Sequence, residues 1–189
     1  YEGNGTIYFK NDNKYEGKFK NGNYEGYGTF YYNKGDKYEG LWKNNVIDGQ
    51  GTYFHEDGRK YQGQFKNGMM EGKGTFYFYN GDKYEGLWKN DVMDGQGVYF
   101  HGAGGKYQGE FKNGVKEGQG TYYFSNGTKY EGQWKKDVRE GEGSDYFEDG
   151  SIRYKGQWKN NVKEGYGTYY VSNGTKYEGQ WKKDVREGE

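Results

Sequence analysis

The chain has 189 residues, with 28 basic and 28 acidic side chains, 24 tyrosines, 11 phenylalanines, 5 tryptophans, and no cysteine or proline. With only two leucines and one alanine it lacks the material for an aliphatic globular core, while its aromatic content is unlike that of a disordered chain. The balanced charge argues against nonspecific nucleic-acid binding and weakens the case for bulk attraction to anionic lipid.

A 23-residue repeat runs through the sequence, and one unit contains a single extra residue. In chain order it comprises a partial unit 1–14, units 15–37, 38–60, 61–83, 84–106, 107–129, 130–153 and 154–176, and a partial unit 177–189. The sequence begins without methionine and ends within a unit, so we expect it to be a fragment of a longer polypeptide. Neither a signal peptide nor an apolar run near 18 residues is visible.

Each unit predicts two antiparallel β-strands. The first stretch reads Y-x-G-x-W/F and the second G-x-G-T-Y-Y-F, both alternating with a period of two. A loop such as KNNVID, residues 43–48, joins them. Asn-Gly or Asp-Gly dipeptides such as Asp57–Gly58, which favour positive φ and tight turns, join most units to the next. The sequence therefore predicts an all-β meander of β-hairpins.

The alternation places large rings and glycines on one surface, which we call the ring face. In unit 38–60 it carries Tyr38, Gly40, Trp42, Gly49, Gly51, Tyr53 and His55, and the opposite face carries Glu39, Leu41, Lys43, Gln50, Thr52 and Phe54. Glycine weakens a strand, so we expect these glycines to leave hollows that aromatic rings cover. The predicted structural glycines are Gly40, Gly49, Gly51, Gly86, Gly95 and Gly97.

The pattern Y-E-G-x-W-K-N-x-x-x-x-G-x-G-T-Y-x-Y/F-x-x-G resembles the MORN (membrane occupation and recognition nexus) repeat and covers essentially the whole chain. The resemblance implies an elongated, single-layer, twisted antiparallel sheet without catalytic activity of its own. Such repeats occur in radial-spoke heads, in cytoskeletal scaffolds, in junctophilins and beside lipid-kinase or methyltransferase domains.

Two features depart from the family pattern. The residue before the first paired glycine is often histidine in the family but acidic here, and lysines begin the same loops. We interpret the resulting charge ladder as a solvated edge that blocks aggregation, with a docking strip for a charged partner as the alternative. Unit 130–153 has an extra residue, which we expect a β-bulge to absorb, and Asp145 stands where an aromatic residue is expected.

Catalytic and metal chemistry find no support in the sequence. His55 and His101 are two units apart, roughly 19 Å, which excludes a shared zinc ion. We expect them to replace aromatic residues on the ring face. The G-x-G motifs precede strands rather than helices, which argues against phosphate loops. We therefore predict no enzyme activity, no cofactor, no metal site and no nucleic-acid partner.

The ring face is the predicted binding site, because a single-layer sheet has no second layer to cover it. Most rings must pack on one another, but we expect part of the face to form an aromatic groove for an amphipathic helix or an extended peptide. The groove residues are Tyr38, Trp42, Tyr61, Phe65, Tyr84, Trp88, Tyr107, Phe111, Tyr130, Trp134, Trp158 and Trp181.

The leading functional hypothesis is a protein-binding scaffold in a cytoskeletal complex, specifically a radial-spoke head in the axoneme of a motile cilium. The protein would then be cytoplasmic and cytoskeletal, and its partners would be other proteins of that complex. Two alternatives remain: a membrane-associated module that binds phosphoinositides, and repeats that regulate an enzyme domain outside this sequence. The two edges of an open sheet are also compatible with a homodimer.

Overall fold

The structure is a computed structural model that describes residues 1–171 and 173–187. Ser172, and Gly188 and Glu189 at the end of the predicted partial unit 177–189, lie outside the described residues. The chain divides into two compact units, Tyr1–Met93 and Asp94–Glu189.

The first unit is an antiparallel meander in which each strand pairs with the next strand in the chain. Its strands are β1 (Gly3–Tyr8), β2 (Lys14–Lys20), β3 (Asn23–Tyr31), β4 (Lys37–Lys43), β5 (Val46–Phe54), β6 (Lys60–Lys66), β7 (Met69–Tyr77) and β8 (Lys83–Lys89).

The second unit repeats this arrangement. Its strands are β9 (Val92–Phe100), β10 (Lys106–Lys112), β11 (Val115–Tyr123), β12 (Lys129–Lys135), β13 (Val138–Tyr146), β14 (Ile152–Lys159), β15 (Val162–Tyr170), β16 (Lys176–Lys182) and β17 (Val185–Arg186). All regular structure in the described residues is β, so the prediction of an all-β antiparallel meander of hairpins is confirmed.

The turn within each repeat is shorter than the sequence suggested. In the predicted loop 43–48, only Asn44 and Asn45 form the turn, with φ of 47° and 68°, and β5 already begins at Val46. Positive φ at both central residues is typical of type I′ turns, whose twist matches that of the flanking strands. Asparagine tolerates this conformation because its short polar side chain bonds locally.

A β-bulge interrupts the predicted alternation in units 15–37, 38–60, 61–83, 107–129, 130–153 and 154–176. In unit 38–60, Gly40 pairs with Gly51, but Trp42 pairs with Ile47, so the register shifts between the two pairs. More residues separate Ile47 from Gly51 on β5 than separate Gly40 from Trp42 on β4, where a single residue intervenes. This bulge places Ile47 across from Trp42 on the ring face, where period-two counting had not placed it.

Candidate protein-binding face

The core lies on the ring face and is built from tyrosines seated on glycine backbone. Tyr61, at the start of β6, is 1% exposed. A Cβ atom added to Gly63 on the same strand would lie 2.7 Å from Cζ of Tyr61, and one added to Gly74 on β7 would also clash with that ring. Only glycine therefore allows the ring to approach the sheet. Burial raises the pKa of Tyr61, and it raises the pKa of Tyr15 and of Tyr154 to about 12.

The tryptophans and phenylalanines that end the first strands link these tyrosines into a row. Tyr61 meets Trp88 edge-to-face, with ring centroids 5.4 Å apart and an interplanar angle of 82°. The Nε1–H of Trp88 donates to the carbonyl oxygen of Gly74 at 3.2 Å. Tyr130 and Trp158 repeat the geometry in the second unit at 5.2 Å and 81°. Each ring pair joins two successive repeats, so the aromatic row supplies the apolar burial of the array.

All twelve predicted groove residues lie in this buried row. Their exposure ranges from 0% to 7%, for Tyr38, Trp42, Tyr61, Phe65, Tyr84, Trp88, Tyr107, Phe111, Tyr130, Trp134, Trp158 and Trp181. Within each unit the structure therefore brings them together, but as self-packed rings rather than as open surface. A binding role for these particular residues stays a prediction.

The predicted structural glycines fall into two sets. Gly40 and Gly51 lie against the ring of Tyr38, and Gly86 and Gly97 occupy the same register positions opposite Gly74 and Gly109. Gly49 instead lies at the bulge, and Gly49 and Gly95 both have positive φ, of 112° and 107°. A Cβ atom on Gly49 would meet the side chain of Leu41 on the opposite face. The expectation that Gly49 lies beneath a ring is therefore wrong, because the bulge turns this residue away.

The accessible part of the ring face comes from a column that the sequence reasoning missed. We call it the facing position, because each of its residues pairs directly with the buried Trp or Phe of the preceding strand. In the first unit Tyr24 pairs with Phe19, Ile47 with Trp42 and Met70 with Phe65, and all three facing residues are half-buried.

One open depression lies at this column in the first unit. It is lined by Tyr53, His55, Tyr61, Phe65, Gly68, Met70, Phe76 and Asp91. The ring of His55 packs 4.8 Å from that of Tyr53 and 6.3 Å from that of Phe76, as expected for a histidine that replaces an aromatic residue. The depression is thus mostly aromatic and apolar, with one carboxylate beside it.

In the second unit the facing position is cationic. Lys116 pairs with Phe111, Arg139 with Trp134, Lys163 with Trp158 and Arg186 with Trp181. We call these four residues the cation row. Burial among the rings lowers the pKa of Lys116 and of Lys163, while neighbouring aspartates act in the opposite direction.

The acidic residues that precede the first paired glycines, the carboxylate half of the predicted charge ladder, form what we call the acidic row. It is neither a purely solvated edge nor a free docking strip. Oε2 of Glu71 accepts a hydrogen bond from the backbone N–H of Asn90, 3.1 Å away in the next turn, and Glu117 accepts one from Lys136 at 3.1 Å. The same bond recurs from Glu25, Asp48, Asp94, Glu140 and Glu164. These carboxylates connect successive turns by satisfying N–H groups that a tight turn leaves unpaired.

The extra residue of unit 130–153 is located at Arg153. Asp145 pairs with Tyr154 and Tyr146 with Ile152, so the register steps over Arg153. The bulge directs its guanidinium onto Asp145, with Nη2 and Nε at 2.6 and 2.8 Å from Oδ2. Asp145 is only 4% exposed although it stands at an aromatic position. The inserted arginine therefore neutralises the carboxylate that replaces the ring.

The described residues contain no group of three or more His, Cys, Asp or Glu side chains that could hold a metal ion. In the same ranges, 1–171 and 173–187, no helix is long and apolar enough to cross a membrane.

Comparison with solved structures gives distant similarity of fold. The TCP domain of SAS-4 (dCPAP) of Drosophila melanogaster, in complex with a proline-rich motif of Ana2 (dSTIL), is 12% identical with a TM-score of 0.51, covering 94% of this chain and 90% of that one. The G-box domain of the microcephaly protein CPAP is 13% identical with a TM-score of 0.35, covering 95% and 99%. A sequence search of curated proteins gives no match.

The profile of the MORN repeat family matches the chain at residues 15–37, 38–58, 61–83, 84–106, 107–129, 130–152, 154–176 and 177–189. These matches span most of the sequence and fall on the hairpins described above. The chain therefore belongs to the MORN repeat family and is a MORN-repeat scaffold.

Proposed function

We propose that the chain is a non-catalytic protein-binding scaffold of a cytoskeletal assembly, placed in the radial-spoke head of a motile-cilium axoneme. The observation that carries the binding role is the aromatic depression on the ring face of the first unit. Tyr53, His55 and Met70 are half-buried there and remain partly accessible to solvent, whereas Tyr61, Phe65 and Phe76 beneath them are buried. A concave apolar surface with a few polar groups at its rim is typical of a peptide-binding site.

The similar SAS-4 domain, which contains a bound proline-rich motif, supports peptide binding by a sheet of this kind. The proposed location is the cytoplasm, bound to the cytoskeleton, with other proteins of the axonemal complex as partners. A second copy of the chain is an alternative occupant of the ring face, which analytical ultracentrifugation would detect.

The test is axonemal retention of the tagged full-length protein in motile ciliated cells. Ile47→Lys combined with Met70→Lys places two charges on the ring face of the first unit. Lysine already occupies this position at Lys116, so the repeat accepts it. The matched control is Leu41→Lys with Gln64→Lys, which adds the same charge to the opposite face of the same two repeats, where Lys18 occupies the equivalent place.

We expect wild type and control to sediment with demembranated axonemes and the ring-face variant to appear in the soluble fraction. A buried lysine ammonium cannot pack against an apolar ligand without losing its hydration. Equal retention of both variants would contradict binding through this face. Complete release of the wild-type protein by detergent would contradict the axonemal placement and favour a membrane-associated module.

A further inference from the structure

The facing position is cationic in the second unit and uncharged in the first. Where the first unit has Tyr24, Ile47 and Met70 across from its buried rings, the second has Lys116, Arg139, Lys163 and Arg186. Each of these residues occupies the same register position within its own repeat. A chain with equal numbers of basic and acidic residues therefore places one sign of charge along part of its ring face.

Each cation of the row lies over aromatic rings. Nζ of Lys116 is 5.2 Å from the ring centroid of Trp134, Cζ of Arg139 is 4.3 Å from that of Trp158, and Nζ of Lys163 is 5.2 Å from that of Trp181. These side chains are half-buried, and their charged groups lie over the rings. The guanidinium of Arg139 also donates a hydrogen bond to the carbonyl oxygen of Asn161 at 2.6 Å.

The row is short of compensating negative charge. In the part of the second unit that the structure describes, the ion pairs within 4.0 Å do not include Lys116, Arg139 or Lys163. The carboxylates that act on them from further away are Asp137, Asp145 and Asp184. Asp145 is already bonded to Arg153 at 2.6 Å. Cations that are partly desolvated and lack a close counter-ion favour an anionic ligand.

The spacing of the row selects a conformation for that ligand. Successive cations are two strands apart, or about 9.6 Å. A polyproline II helix repeats every three residues, about 9.3 Å, whereas an extended strand repeats its face every two residues, about 6.7 Å. An α-helix has a pitch of about 5.4 Å, so two of its turns span about 10.8 Å. The polyproline II repeat is the closest match, and this conformation docks on aromatic-lined surfaces.

We propose that the cation row binds an acidic, proline-rich segment of a partner protein in the polyproline II conformation, with a carboxylate at every third residue. This inference rests on the proposed protein-binding function and names the chemistry of one ligand. Each carboxylate pairs with one cation, while the prolines between them contact the half-buried Tyr122 and Tyr169 on the same face.

The test measures binding of fluorescein-labelled (Glu-Pro-Pro)₄ to the full chain by fluorescence anisotropy. The variant Lys116→Met/Arg139→Met/Lys163→Met replaces three of the four cations of the row with a residue that the same position holds at Met70. Removing three charge-assisted contacts should raise the Kd roughly 10- to 100-fold. The matched control Lys112→Met/Lys135→Met/Lys159→Met removes the same type of charge from exposed ends of the first strands, and its Kd should stay within about twofold of wild type.

Peptide controls separate charge from conformation. The neutral (Gln-Pro-Pro)₄ and an acidic α-helical peptide of equal charge should each bind at least about tenfold more weakly than (Glu-Pro-Pro)₄. Equal binding by the cation-row variant, by the neutral peptide or by the acidic helix would overturn the proposal. The proposal would also be overturned if the peptide did not bind and the protein instead sedimented with phosphatidylinositol bisphosphate vesicles in a way that requires the cation row.

The two proposals can fail separately. The protein-binding function is tested by substitutions in the first unit, at Ile47 and Met70, whereas this inference is tested in the second. Circular dichroism of each variant should match wild type, because every substitution introduces a residue type that the array already holds at that position or an uncharged one at an exposed site.

Discussion

The ring of Tyr61 packs so closely on Gly63 that position 63 has no room for a side chain. A Cβ atom on Gly63 would lie 2.6 Å from Cα of Gly74 and 2.7 Å from Cζ of Tyr61, and the Tyr61 hydroxyl donates to the carbonyl oxygen of Gln64 at 3.0 Å. The same tyrosine–glycine contact recurs at Tyr38 with Gly40 and at Tyr130 with Gly132. In this fold, tyrosine rings packed on glycine backbone take the place of an interdigitated aliphatic core.

Substitution of Gly63 by alanine should destabilise the first unit. The buried ring and the neighbouring backbone leave no room for a methyl group, and such overpacking typically costs ~2–3 kcal/mol. Gly58→Ala is the control, because Gly58 has a φ of 87° but nothing within 4 Å of an added Cβ. That variant suffers only backbone strain of ~1 kcal/mol. Urea unfolding monitored by circular dichroism should rank Gly63→Ala well below Gly58→Ala, and equal midpoints would contradict the tyrosine–glycine packing.

The buried tyrosines predict a loss of stability at alkaline pH. Burial raises the pKa of Tyr15 and of Tyr154 from 10.0 to about 12. Because the folded state holds these protons more tightly than the unfolded state, this stabilisation is complete below pH 10 and is lost as pH rises towards 12. Titration followed at 295 nm should show tyrosinate forming together with loss of β-sheet circular dichroism in that window. Complete ionisation by pH 11 with the sheet intact would refute the assignment.

The repeat period, the strand pairs and the all-β class were predictable because tyrosine, glycine and turn residues recur at fixed spacing. The bulge was not, since it depends on how Gly40–Gly51 and Trp42–Ile47 pair across two strands. One consequence was that Gly49 was assigned to the wrong neighbours and Ile47 was overlooked. A signal was present: the column that contains Ile47 changes from apolar residues to Lys116, Arg139, Lys163 and Arg186 along the sequence.

The acidic row could not be interpreted from charge alone, and its role predicts a specific loss. Glu117→Ala leaves the Lys136 backbone N–H without its acceptor at 3.1 Å, which should reduce stability by ~1 kcal/mol. Glu117→Gln keeps an acceptor oxygen and should lose less. Glu131→Ala is the control, because Glu131 forms an exposed ion pair with Lys129 at 3.2 Å, and such pairs contribute little. Equal urea midpoints for the alanine variants would exclude the inter-repeat bond.

The pairing of Asp145 with Arg153 makes the most discriminating prediction, because a substitution and an insertion compensate each other. Asp145→Ala leaves the guanidinium of Arg153 without the carboxylate that it contacts at 2.6 Å, and should destabilise the second unit by ~2–3 kcal/mol. Asp145→Tyr combined with deletion of Arg153 restores the pattern of Tyr122 and Tyr169 and should recover wild-type stability, since a ring then fills the site. Asp145→Tyr alone should not, because the bulged arginine remains. The prediction is contradicted if the urea midpoint of Asp145→Tyr with deletion of Arg153 is no higher than those of Asp145→Tyr alone and Asp145→Ala. Arg153 would then not serve to neutralise Asp145.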